Sequence, residues 1–128
     1  MSGRVVHFEI PAADMERAQT FYHEAFGWTI NAMPEMQYTI VQTGPANEQG
    51  MPSEPGFING GIAMRQDPIT SPVVTVHVDD IDDALRRIEE LGGKTVTGRM
   101  AVGEMGFAAY FTDPDGNVIG LWQLAGQG

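Results

Sequence analysis

The sequence predicts an α+β fold in which two βαβββ modules, about residues 4–65 and 73–123, form a curled mixed sheet that encloses a cleft. Three observations predict it. The order strand, helix, strands occurs twice; each helix begins at an aspartate and stops at glycine; and residue n resembles residue n+66 across the first strand and helix of each copy. A chain of 128 residues with 42% hydrophobic content buries one substantial core, so a single domain is expected.

Val5 to Ile10 is rich in β-formers and is expected to end at Pro11, which cannot donate to a central ladder. Asp14 then caps an apolar series at helical spacing, Met15, Ala18, Phe21, Tyr22, Ala25 and Phe26, with Gly27 as the stop. Trp28–Met33 and Met36–Thr43 read as strands joined at Pro34-Glu35, and Phe57–Arg65 as a fourth. The order then returns. Val73–Val78 is a strand, Asp80 caps a helix carrying Ile81, Ala84, Leu85, Ile88 and Leu91 on one face, and Gly92-Gly93 ends it. Lys94–Thr97 and Phe107–Thr112 follow as strands, with Gly98–Gly106 as their connection. Asp113-Pro114-Asp115-Gly116-Asn117 is a hairpin turn into Val118–Trp122. Under the 66-residue offset Asp14 meets Asp80, Ala18 meets Ala84, Glu24 meets Glu90, Gly27 meets Gly93 and Thr29 meets Thr95; beyond Ile30 the correspondence fades.

Composition removes several classes of function. Without cysteine there is no disulfide and no thiolate nucleophile or metal ligand. A net charge of -10, from 17 acids against 7 bases, repels phosphate backbones, so nucleic acid is not an expected partner. No apolar run reaches the roughly 20 residues needed to cross a bilayer, and the N-terminus lacks a basic-then-apolar leader pattern; neither a membrane nor secretion is expected, which leaves the cytoplasm as the default location. Phosphate loops, dinucleotide fingerprints and serine nucleophile elbows are missing. The acids at Asp79, Asp80, Asp82 and Asp83 suit a capped helix start better than a calcium loop, which needs spaced oxygen ligands and a glycine turn.

A helix on one face of each sheet leaves the other face free to line a cleft, a natural place for a small molecule. Period-two geometry puts Val5, His7 and Glu9 on one face of the first strand and Val6, Phe8 and Ile10 on the other. The second set is continuously apolar and should face the helix, which leaves His7 and Glu9 toward the cleft. Such a pair can act as metal ligands, as an acid-base pair, or as an internally hydrogen-bonded polar pair. Tyr38, Tyr110 and Trp122 on strands, and Glu104 and Met105 in the Gly98–Gly106 connection, are further candidate ligand-binding residues. Trp28, Met33, Met36, Met51 and Met100 serve equally well as packing residues. Gly44–Gly56 is long for a hairpin connection and suits either a lid or a plain surface loop.

The strand bearing His7, the Asp14-x-x-Arg17-Ala18-x-x-Phe21-Tyr22 helix followed by Phe26-Gly27-Trp28, and Asp113-Pro114-Asp115-Gly116-Asn117 before the last strand resemble the vicinal oxygen chelate superfamily of glyoxalase I, bleomycin-resistance proteins and extradiol dioxygenases. More narrowly, His7-Phe8-Glu9-Ile10-Pro11, Gly60-Gly61 and Gly120-Leu121-Trp122-Gln123 are similar to a poorly characterised branch related to lactoylglutathione lyase. In metal-using members each half resembles a source of two ligands, one on its first strand and one, usually glutamate, on its last. His7 is the only matching ligand position. Its counterpart is Val73, and the glutamate positions fall on Gly120 and near Ala63. One imidazole does not hold a divalent cation at useful affinity, so no cofactor is expected and a rebuilt divalent metal site is the lesser alternative.

The resemblance implies a homodimer and a small-molecule ligand. The leading expectation is a binding protein without the usual metal, its ligand held in the inter-module cleft. The alternative is a lyase or isomerase using His7 and Glu9, and a third reading is a structural role with the cleft closed by its own side chains.

Overall fold

The computed structural model describes residues 3–48 and 51–126. Its contacts divide the chain into two compact units, His7–Pro72 and the residues through Val6 together with those from Val73 onward. The N-terminal unit runs β1 (Val5–Ala12), α1 (Met15–Phe26), β2 (Thr29–Met33), a 3-10 turn at Pro34–Met36, β3 (Tyr38–Gln42) and β4 (Asn59–Met64). The C-terminal unit runs β5 (Val73–His77), α2 (Ile81–Glu90), β6 (Lys94–Val102), β7 (Gly106–Thr112) and β8 (Val118–Leu124). Each is a βαβββ module, and together they make the α+β class expected.

In the N-terminal unit the strand order is β2-β3-β4-β1, antiparallel except for the parallel pair of β1 with β4. The C-terminal unit repeats it as β6-β7-β8-β5, with β5 parallel to β8. Both helices start as the sequence indicates: the Asp14 carboxylate accepts from the Arg17 amide at 3.0 Å and the Asp80 carboxylate from the Asp83 amide at 3.1 Å. Their ends differ. Gly27 closes α1 in the left-handed region at φ 75°, whereas in α2 it is Gly92, at φ 101°, and not the offset partner Gly93, that turns the chain, so α2 is two residues shorter (10 against 12).

Two expectations about elements are corrected. β1 does not stop at Pro11 but continues to Ala12. The Ala12 carbonyl accepts from Arg65, and successive residues of a strand point their backbone groups to opposite sides, so the missing N–H of Pro11 faces away from β4 and costs that ladder nothing. Gly98–Val102 is strand rather than connection: β6 runs on to Val102 across register shifts between Thr95 and Met100, which let it follow β7 despite Gly98. The 44–56 connection contains its own short pairing, with a bridge between Ala46 and Pro52, and the Phe57 ring lies against Gly44. Among the described residues no helix is long and apolar enough to cross a membrane.

Each unit has its own apolar layer between sheet and helix. In the N-terminal unit Ala12, Val41 and Ile62 are buried and Phe8, Met15, Ala18, Tyr22, Trp28 and Ile30 pack on them. Trp28 stacks on Tyr22 at 5.0 Å and meets Phe8 at 5.7 Å, which assigns it to packing. In the C-terminal unit Ile81, Leu85, Ala109 and Leu121 form the equivalent layer. Gln123, 0% exposed, accepts from the Ile81 amide at 2.8 Å and so ties β8 to the start of α2. The acidic run at Asp79–Asp83 is largely engaged at that helix start, with Asp80 as cap, Asp83 paired to Arg86 and Asp82 near Arg99 at 3.8 Å.

Candidate functional site

Phe8 and Ala12 face the helix, so the alternation of β1 turns His7 and Glu9 to the opposite, helix-free face of the N-terminal unit. Cross-strand register extends that face. His7 pairs with Asn59 and Glu9 with Gly61 on β4; Gly61 pairs with Ile40 and Ala63 with Tyr38 on β3. Residues in register share a face, so His7, Glu9, Tyr38, Asn59 and Gly61 stand together.

Tyr38 reaches His7 because of a glycine. Its ring crosses Gly61 so closely that a Cβ there would collide with the phenol oxygen. Over that gap the Tyr38 hydroxyl meets His7 Nε2 at 2.7 Å, with the two rings close to parallel at 15°. Next to it, Gly60 admits the Phe8 ring on the helix side. The Gly60-Gly61 pair therefore accommodates one aromatic ring on each face of β4. Burial pushes the His7 imidazole down to about 4, so it is neutral at pH 7. Glu9, two residues along, is 7% exposed: a carboxyl group is enclosed on the same face.

The other sequence candidates belong to the C-terminal unit. Tyr110 is buried on the helix-free face of β7, in register with Gly120, and Trp122 lies on that face of β8 with its ring against Gly106. Glu104 and Met105 are exposed at the tip of the β6–β7 hairpin. Asn59, which sequence reasoning passed over, joins the candidate set. It is 8% exposed, and an asparagine opening a strand just before Gly60-Gly61 is a weak β-former that was open to notice.

The chelate positions can be compared between modules by register. Glu9 pairs with Gly61, and Thr75, its partner under the 66-residue offset, pairs with Gly120. The N-terminal counterpart of Gly120 is thus Gly61, two residues before the Ala63 region expected from sequence. Both places are glycines, and Val73, the counterpart of His7, is an alkyl side chain 2% exposed. Three of the four positions offer no donor atom, and among the described residues no three His, Cys, Asp or Glu side chains come together to hold a metal. The residues present do not fit the divalent metal of the metal-using relatives.

Residues 4–44 match the family model for the bleomycin resistance protein-like N-terminal region. A glyoxylase-like domain-containing protein of Didymella fabae is 28% identical over 99% of this chain and 98% of its own. Of two longer mycobacterial relatives that carry a glyoxylase name, the chain spans only 43% of the length. Among solved structures, a glyoxalase/bleomycin resistance protein/dioxygenase superfamily member from Vibrio splendidus superposes with a TM-score of 0.62 at 16% identity, covering 96% of this chain and 99% of that one. Streptomyces coelicolor methylmalonyl-CoA epimerase in complex with 2-nitronate-propionyl-CoA superposes with a TM-score of 0.65 at 14% identity, covering 99% and 98%. With a duplicated βαβββ architecture, a bleomycin-resistance-like N-terminal region and glyoxylase-like relatives, the chain has the fold of the glyoxalase/bleomycin resistance protein/dioxygenase superfamily and is similar in sequence to its glyoxylase-like and bleomycin-resistance-like members.

Proposed function

We propose that this protein binds a small organic molecule without a metal ion, on the helix-free face of its N-terminal unit, with His7, Tyr38 and Glu9 as the polar contacts. The observation that carries the reading is the 2.7 Å hydrogen bond between His7 and Tyr38 across Gly61, which holds an imidazole kept neutral by burial on the same face as a buried carboxyl group. A sheet face free of helix that brings several polar side chains together is a natural place for a small molecule. The test is a thermal-shift screen of small molecules at high concentration, repeated on His7→Ala and Glu9→Ala. Hits that lose affinity in both variants are expected; hits that ignore both would refute the assignment.

A second reading, a lyase or isomerase that uses His7 and Glu9, draws on the same enclosed Glu9 and on the epimerase among the structural relatives. Binding is preferred because an imidazole with a pKa of about 4 is a weak base at neutral pH, so His7 would need a ligand to raise it before it could remove a proton from carbon. Incubating screen hits with the protein in deuterated water separates the readings. Deuterium entering next to a carbonyl group, and doing so only with Glu9 and His7 intact, would favour the enzyme.

A further inference from the structure

We infer that Asn59 is a ligand-recognition residue whose Nδ2 donates to a neutral carbonyl oxygen of the molecule held beside His7. The inference rests on the ligand site proposed above and adds the chemical class of group that the site takes.

The Asn59 amide is oriented by its own contacts. Its Oδ1 accepts from the Thr43 amide at 2.8 Å, and the Thr43 hydroxyl donates to the Ile58 carbonyl at 2.8 Å, which holds the Thr43 backbone in place. Because a backbone N–H only donates, the oxygen of Asn59 must face Thr43, and the nitrogen is the group left over. That Nδ2 is buried and has no hydrogen-bond partner among the described residues. Native proteins rarely leave a buried donor unmet, and here the orphan sits on β4 in register with His7, within the polar face already assigned to a ligand.

An orphan N–H asks for an acceptor, and the surroundings decide its charge. The unit His7–Pro72 has two guanidinium groups, and Arg4, exposed just before β1, already has a partner of its own. Arg17 is exposed on α1, and Arg65 is exposed beyond the far end of β4, about 20 Å along the strand from Asn59 at the usual rise per residue. Neither reaches Asn59, and His7, neutral at pH 7, supplies no positive charge. The enclosed Glu9 lies on the same face. A carboxylate or phosphate would lose its water there without a counter-charge and beside another acid. A ketone or amide carbonyl brings a strong acceptor and no charge, and unlike a hydroxyl it has no proton of its own to place.

The experiment follows the assigned Asn59 side-chain ¹⁵N–¹H resonances, with those of His7 and Tyr38, while acetophenone, benzamide, 1-phenylethanol and benzoate are titrated into the full-length protein. One or both carbonyl compounds are expected to move the Asn59 amide and to bind about fivefold or more tightly than the alcohol and the anion, the worth of one net hydrogen bond. The two carbonyls separate a ketone site from an amide site. In Asn59→Asp, which keeps an oxygen for Thr43 but loses the donor, the preference should vanish; if that variant does not fold, the wild-type resonances alone decide. Tightest binding by benzoate overturns the inference. So do carbonyl compounds that move His7 and Tyr38 but not Asn59, or a long-lived water on Nδ2 that none of them displaces, and both results leave the ligand face standing. If no compound moves any of the three residues, the inference and the proposed ligand face fall together.

Discussion

His7 owes its charge state to the strand that places it. Its imidazole is enclosed and its folded pKa, about 4, lies below the ordinary 6.5, so as pH falls the unfolded chain takes up the proton first. The stability carried by neutral His7 is therefore complete above pH 6.5 and is lost as pH falls from 6.5 to 4, after which both states are protonated and nothing more is lost. A difference of that size amounts to about 3 kcal/mol. Denaturant unfolding of the wild type and His7→Gln, compared from pH 7.5 to 4, should show the wild type losing about that much more than the variant; parallel curves would contradict it. Tyr38→Phe removes only the hydroxyl and leaves the ring over Gly61. It should cost about 1 kcal/mol at pH 7.5, the net worth of one hydrogen bond, and weaken any ligand that depends on His7 orientation.

At the scale of elements, β4 offers two adjacent glycines with different roles. A Cβ on Gly60 would press on the Phe8 carbonyl, which is backbone of the neighbouring strand, whereas one on Gly61 would press on the end of the Tyr38 side chain. Gly60→Ala should therefore lower stability by about 1–3 kcal/mol. Gly61→Ala should leave the fold closer to wild type while swinging Tyr38 off His7, so ligand affinity falls more than stability does; equal effects in denaturation and binding assays would argue against this division. Gln123→Leu tests the other unit, since it leaves the first α2 amide unmet in a buried place and should cost about 1–3 kcal/mol in the unfolding midpoint assay. The elements themselves were largely legible, because caps such as Asp14 and Asp80 and the apolar spacing of α2 are local signals. Pro11 and Gly98 misled as strand breakers, since whether a missing N–H or side chain matters depends on which way the strand faces its neighbour. His7 and Glu9 were legible from alternation alone, but the orphaned Asn59 amide was not: it exists only once Thr43 has claimed the oxygen.

Across the whole molecule, duplication supplies two copies of one module whose chelate positions have diverged. Register makes Gly61 and Gly120 counterparts, and the offset makes His7 and Val73 counterparts, so the shortage of donors at these positions is found in both modules. Backbone geometry is retained, because caps, core and turns hold each module together, while glycine at the two last-strand positions makes room for neighbouring groups, Tyr38 in one unit and the Thr75 hydroxyl in the other. Restoring a ligand at either place would therefore displace a side chain as well as add a donor. The expected outcome, if the ligand is bound without a metal as proposed, is indifference to metals. A divalent ion bound with Kd near 1 μM and supplied at 100 μM would add about 2.7 kcal/mol to folding stability, which in a chain of this size raises Tm by several degrees. Protein purified without chelator should carry no stoichiometric zinc, nickel, manganese or iron by elemental analysis. Its Tm should move by less than about 1 °C on adding any of these ions or EDTA, against the several degrees that tight binding would produce. A stoichiometric metal, or a stabilisation of several degrees that disappears in His7→Ala, would show that the chain has rebuilt a centre from residues outside the four family positions.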